Sequence, residues 1–243
     1  MSHDTLMRLQ SALVDEISAS HHFGQTPALP PELDGIDPQR LSLLARVTHA
    51  KRLGKIAQVL PVTFSVLAPE LPALLPQFVD EHPVRDASGL SNALQFYRFL
   101  RRRLRTQQLR HAFVPDLAAC ECALAAVALR EPASTRPPRG FDTRRPVFVR
   151  RATHVAFLAC SYDVQALLAT GTDELDAVTR RAVCLAFVPS AGDGLPRVFE
   201  LDMSLFAWVR KLRSWRRLGE YADLPVLETL CEMGVLECRT HNS

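Results

Sequence analysis

Residues 131–146, "EPASTRPPRGFDTRRP", separate two stretches with different hydrophobic periods, and that switch limits the folds open to this chain more than any other feature. Before it, apolar side chains recur every three or four positions, the spacing of a helix face; after it they alternate, the spacing of a strand. The segment itself carries proline, arginine, serine and threonine with almost no apolar side chain, so it brings nothing to a core and reads as a linker. The expected fold class is α+β, with a helical domain over 1–130, the linker over 131–146 and a small α+β domain over 147–243. A chain of 243 residues, 47% of them hydrophobic, can bury a core in each.

In the first domain Leu6, Leu9, Leu13 and Ile17 mark an amphipathic helix, and the Asp37-Pro38 pair opens a second, with Leu41, Leu44 and Thr48 on one face. Leu71, Leu74, Leu75, Phe78 and Val79 form a third stripe that stops at His82-Pro83, since a residue before proline avoids helical backbone. Leu94, Tyr97, Leu100 and Leu104 line a fourth, and Asp116 caps a fifth carrying Leu117, Cys120, Leu124 and Val127. This is the pattern of a helical bundle with short loops.

Beyond the linker, Val147 to Arg150, Thr153 to Ala159 and Ala182 to Val188 read as strands, and "SAGDGLP" turns the chain into a further strand, "RVFEL". Asp163 and Asp202 stand where N-caps belong, ahead of "VQALLATG" and "MSLFAWVRKLRSW". A last helix, "LPVLETLCEMGVLE", has Pro225 near its first turn and Gly234 where a C-terminal cap belongs.

No catalytic constellation emerges. Metal sites show paired ligands at helical spacing or a CxxC knuckle, and neither occurs; Cys120 and Cys122 project to opposite sides of their helix. His21 and His22 lie in a polar loop, and His154 alternates with Val155 in a strand, facing solvent or a partner. Cys160 has no histidine in sequence to activate it, and "SAGDG" lacks the spacing and lysine of a phosphate loop. The six cysteines are too few and too irregular for a disulfide framework, and several sit in apolar stretches as reduced thiols do. With no signal-peptide pattern at the N-terminus and no apolar run of membrane-spanning length, the expectation is a cytoplasmic protein without a membrane partner.

Net charge is only +3, so the distribution of arginine matters more than its sum. Arg98, Arg101, Arg102, Arg103, Arg105 and Arg110 fall in a stretch without acids; Arg210, Lys211, Arg213, Arg216 and Arg217 form a second set, and the linker a third. Such stripes suit nucleic acid, an acidic protein partner or plain solvent.

"VLPVTFSVLAPELPALLPQFVDEHP" and "FVPDLAACECALAA" resemble the N-terminal helical domain of a family described as DNA-binding, to which the HvfC-like proteins belong. The shared features are "LPVTF" after a helix, "FV.EHP" closing the next and "DLA..E.AL"; the family's "YRNN"-like segment is replaced here by "RVTHAKRLGKI". "VAFLACSYDVQALL", "RVFELDMSLFAWVRKL" and "LETLCEMGVLE" look like the small winged-helix-like domains that bind leader peptides of ribosomally made, modified peptides. Both halves together resemble the MbnC-like partner subunits of methanobactin biosynthesis.

That resemblance implies a subunit with no metal, catalytic residue or cofactor of its own. Iron would sit in a TIM-barrel oxidase subunit (MbnB-like), and the pair would oxidise cysteines of a precursor peptide (MbnA-like) to oxazolone and thioamide. It also implies an antiparallel sheet of about three strands. An extended peptide would add to Val198, Phe199, Glu200 and Leu201, with Phe206, Val209 and Leu212 as the groove wall. Arg98, Arg101, Arg102 and Arg105 are the candidate surface for the partner subunit. The rival class is a winged-helix-like DNA-binding regulator, although nucleic acid is the less expected ligand; a self-sufficient enzyme with an unrecognised site is the third.

Overall fold

A computed structural model describes residues 3–18, 30–84, 86–106, 109–130, 147–190, 195–218 and 224–240. The expected linker and the loop histidines His21 and His22 lie outside these residues. The chain divides into two compact units, Met1–Ala118 and Ala119–Ser243, with the division inside a helix.

The first unit is helical: α1 (His3–Ser18), a 3-10 turn (Pro31–Leu33), α2 (Pro38–Val59), α3 (Pro61–Val66), α4 (Leu71–Glu81), α5 (Gly89–Arg105) and the start of α6 (Val114–Ala128). α2 begins where Asp37 accepts a hydrogen bond from the Gln39 backbone N–H at 2.9 Å and Pro38 supplies the first-turn φ. It stops at Leu60 because Pro61 cannot continue it, and Pro61 starts the short α3 instead. α5 opens on Ser88, whose hydroxyl accepts from the Ser91 N–H at 3.3 Å.

α4 and α6 bury their expected stripes, through Leu74, Phe78 and Val79 and through Leu117, Cys120 and Val127, but those of α2 and α5 are rotated. α2 buries Leu41, Ala45, His49, Arg52 and Ile56, and leaves Leu44 48% exposed. α5 buries Asn92, Ala93, Phe96, Phe99 and Leu100 rather than a face through Leu94 and Tyr97. The pull comes from an aromatic cluster at the centre of this unit. Phe96 packs edge-on against Phe78 with centroids 5.0 Å apart, and lies 5.4 Å from Phe64 and 5.9 Å from Phe99.

The second unit holds the remainder of α6 and two three-stranded antiparallel sheets, where a single sheet of about three strands was expected. One contains β2 (Ala156–Cys160), β3 (Val183–Val188) and β4 (Arg197–Leu201), in the order β2-β3-β4. The other contains β1 (Val147–Arg151), β5 (Arg216–Arg217) and β6 (Leu236–Thr240), in the order β5-β1-β6. Helices α7 (Gln165–Thr170), α8 (Met203–Lys211) and α9 (Leu224–Glu232) complete the unit. The fold is α+β, helices first and strands after.

β3, the central strand of its sheet, is buried along its whole length. Cys184, Ala186 and Val188 join the core with Val147, Val149, Val209, Leu212 and Leu230, which ties the two sheets and α8 together. On the opposite side, Cys160 of β2 meets Cys120 of α6, sulfur to sulfur at 3.7 Å. Cys231 and Cys238 join α9 to β6 as a disulfide, a single bridge in a cysteine pattern too irregular to suggest a disulfide framework.

The chain leaves α9 through Gly234, at φ +78°, where the Val235 N–H returns to the Leu230 carbonyl at 2.9 Å. A Cβ at Gly234 would come 3.1 Å from a Val188 methyl. Gly234→Ala is therefore expected to cost about 1–2 kcal/mol, from positive φ plus crowding against β3, read as a lowered midpoint in urea.

Candidate functional site

The site is best approached from α8, because its start is fixed firmly. Asp202 accepts from the backbone N–H groups of Ser204 and Leu205, each at 2.9 Å, and from the Ser204 hydroxyl at 2.5 Å. This cap turns β4 directly into α8, so "RVFEL" ends as a strand where the helix begins. One face of α8 buries Phe206 and Val209; the next face presents Met203 and Ala207, with Met203 65% exposed.

Between that exposed face and the β2-β3-β4 sheet runs an open groove of about 660 Å³. Ala159 of β2, Cys184 of β3, and Met203, Phe206 and Ala207 of α8 give it an apolar lining, and Arg210, Lys211, Arg213 and Arg216 give it a basic one. The Phe206 ring is 6.1 Å from that of Phe157 on β2, and the Arg210 guanidinium lies 5.4 Å above it.

Among the described residues β2 and β4 each pair with β3 alone, so each leaves a row of backbone donors and acceptors without a ladder partner. Of these two edge strands it is β2 that reaches the groove, through Ala159, on the far side of β3 from the strand expected to carry the site.

The residues singled out in sequence are thus distributed. Val198 and Phe199 are half-buried on the edge strand β4, opposite Phe187 and Ala186, and Leu201 is buried. Val209 and Leu212 are packed in the core, 0% and 4% exposed, so neither forms an open wall. Phe206 alone of the expected wall lines the groove.

Glu200 is engaged within the chain. Arg181 donates to Glu200 at 2.5 Å and to Asp163 at 2.5 Å, and Gln165 donates to Glu200 at 3.2 Å. The Arg181 hydrogen bond holds the Glu200 carboxyl below its ordinary pKa. Burial acts upward on Asp163, but its bonds to Arg181 and to the Gln165 backbone outweigh that and leave it lowered too. With folded pKa values below the unfolded ones, this linkage stabilises above the ordinary carboxylate range and fades as pH falls through it. Arg181→Gln should therefore flatten the loss of thermal midpoint between about pH 7 and about pH 3, compared with the parent chain.

In the helical unit, Arg98, Arg101, Arg102 and Arg105 all lie on the exposed face of α5. Arg102 pairs with Glu81 at 3.0 Å and touches His82, and Arg101 donates to the Tyr97 hydroxyl at 3.4 Å. Arg98 and Arg105 have no carboxylate partner among the described residues. Arg103, also bonded to Glu81, folds over the Phe99 ring at 4.9 Å.

The polar groups weighed for chemistry turn inward. His154 is 9% exposed in the turn between β1 and β2, and burial pushes its imidazole pKa down. Cys122 is buried, which raises its thiol to about 12 and keeps it protonated. No three His, Cys, Asp or Glu side chains gather as a metal-binding group among the described residues. Nor is any described helix long and apolar enough to cross a membrane.

No protein-family model matches this chain, and no curated protein matches it.

Proposed function

We propose that this chain is a non-catalytic, peptide-presenting subunit of a heteromeric oxidase. The observation that supports this reading is the pairing of an unladdered edge strand with an open groove beside a helix in the second unit. An extended peptide needs those two things: backbone groups to bond, and a cleft for every second side chain. Together with the sequence resemblance to the partner subunits of methanobactin biosynthesis, it gives the second unit the task of holding a ribosomally made precursor (MbnA-like).

In this reading the first unit, through the exposed stripe containing Arg98 and Arg105, docks an iron-containing TIM-barrel subunit (MbnB-like). That partner holds the iron and converts precursor cysteines to oxazolone and thioamide in the cytoplasm. The described residues of the present chain offer no ligand set for iron. Its contribution is to place the cysteine-bearing segment, an effect large enough to control rate without a reacting group.

Co-expression with the products of neighbouring genes, followed by gel filtration and metal analysis, tests this. The expected result is a stable complex that carries iron and modifies the precursor, while the isolated chain carries no stoichiometric iron and leaves the peptide unchanged. An isolated chain that turns over the peptide would refute it.

A DNA-binding regulator is the second reading, favoured by the basic set on α8 and β5. It requires tight duplex binding whose affinity falls steeply with salt, about 0.9 in log K per log unit of salt for each phosphate neutralised.

A further inference from the structure

We infer that the groove between β2 and α8 seats an acidic, extended segment of the presented peptide, with carboxylates flanking an apolar residue at alternate positions. The inference rests on the peptide-presenting reading and assigns that reading a place and a charge.

Four cations, Arg210, Lys211, Arg213 and Arg216, line the groove, and among the described residues no carboxylate does. All four are exposed, and none has an ion-pair partner among the described residues. The nearby acids among the described residues are committed elsewhere: Asp202 to the start of α8, Glu200 to Arg181 and Gln165. Other cations of the same unit do find partners, as Arg150 does in Glu237 at 2.5 Å and Arg181 in Asp163. Uncompensated positive charge around one cleft calls for an anionic occupant.

Geometry then separates peptide from nucleic acid. The same lining includes Ala159, Phe206 and Ala207, with Met203 65% exposed, and a phosphate backbone gains nothing from such apolar surface. The groove also borders β2, whose outer edge has no ladder partner among the described residues. A strand laid along the five residues of β2 points alternate side chains to one face; the apolar lining suits an apolar side chain there, and the cations suit carboxylates two positions to either side. The matching pattern is carboxylate, any residue, apolar, any residue, carboxylate.

Fluorescence anisotropy on the full chain decides this, using the labelled peptide Gly-Ser-Glu-Thr-Leu-Thr-Glu-Ser-Gly, its analogue with lysine for both glutamates, and a form N-methylated at alternate backbone amides. The acidic peptide is expected to bind at least about tenfold tighter than the lysine peptide, and N-methylation is expected to remove most of that affinity. The double variant Arg213→Glu and Arg216→Glu, checked for an unchanged circular dichroism spectrum, should invert the preference. Equal binding of both peptides, an indifferent double variant, an unimpaired N-methylated peptide, or duplex DNA displacing the acidic peptide would each overturn the assignment. If the precursor encoded beside the gene binds the parent chain and the double variant equally, the presenting role stands and this groove is the wrong seat. If neither the precursor nor the acidic peptide binds, both fail.

Discussion

Phe96→Ala is expected to destabilise the helical unit by about 4 kcal/mol, enough to leave it largely unfolded under mild denaturant. Phe96 is fully buried and is the ring on which the aromatic cluster converges, touching Phe64, Phe78 and Phe99. Truncation to a methyl removes its own transfer energy and opens a cavity among rings that come from three different helices, so no single side chain can collapse into the gap. Equilibrium unfolding in urea, followed by far-ultraviolet circular dichroism, measures the loss. A cost below about 1 kcal/mol would mean that these rings are not packed as described.

Arg52→Ala should cost a comparable amount, about 3 kcal/mol, for a different reason. Arg52 is 4% exposed and faces no carboxylate among the atoms it bonds: Asn92 Oδ1 at 2.7 Å, the His82 carbonyl at 2.5 Å and Gln95 Oε1 at 2.9 Å. Its guanidinium also stands 4.7 Å from the centre of the Phe78 ring. Burial lowers its pKa to about 10, so it remains charged at neutral pH. Alanine leaves three acceptors unpaired and removes the tie between α2 and the α4–α5 connection. Arg52→Lys should recover only part of the loss, because one ammonium cannot reproduce the guanidinium's fork. Full recovery by lysine would show that charge, rather than geometry, holds this junction.

How much of this was legible in the sequence depends on whether the deciding contact is local. The start of α2 at Asp37-Pro38, the cap of α8 by Asp202 and the turn at Gly234 were readable because each rests on neighbours within a few residues. The burial of Arg52 was hidden: in "THAKRLGK" it looks like solvated charge, and its bonded partners lie 30 to 43 residues away. β6 was not foreseen, although Leu236 and Cys238 already alternate with Glu237 and Arg239 beyond the helix cap at Gly234. That alternation was the available signal. The apolar stripe of α8 was seen, but periodicity shows only that a face is apolar. It does not distinguish Val209 and Leu212, covered by the core, from Met203 and Ala207, which border open space. Strand order is likewise a long-range property, and for that reason the groove was placed beside β4 when β2 borders it.

The central claim is that this chain holds an extended peptide for chemistry performed elsewhere. Calorimetric titration of the purified chain with the precursor encoded beside its gene tests it most directly, with duplex DNA titrated in parallel. The account predicts saturable one-to-one binding of the peptide, abolished by N-methylation of the bound segment, and no comparable affinity for DNA. Heat from the DNA alone, declining steeply with salt while the peptide gives none, would contradict it.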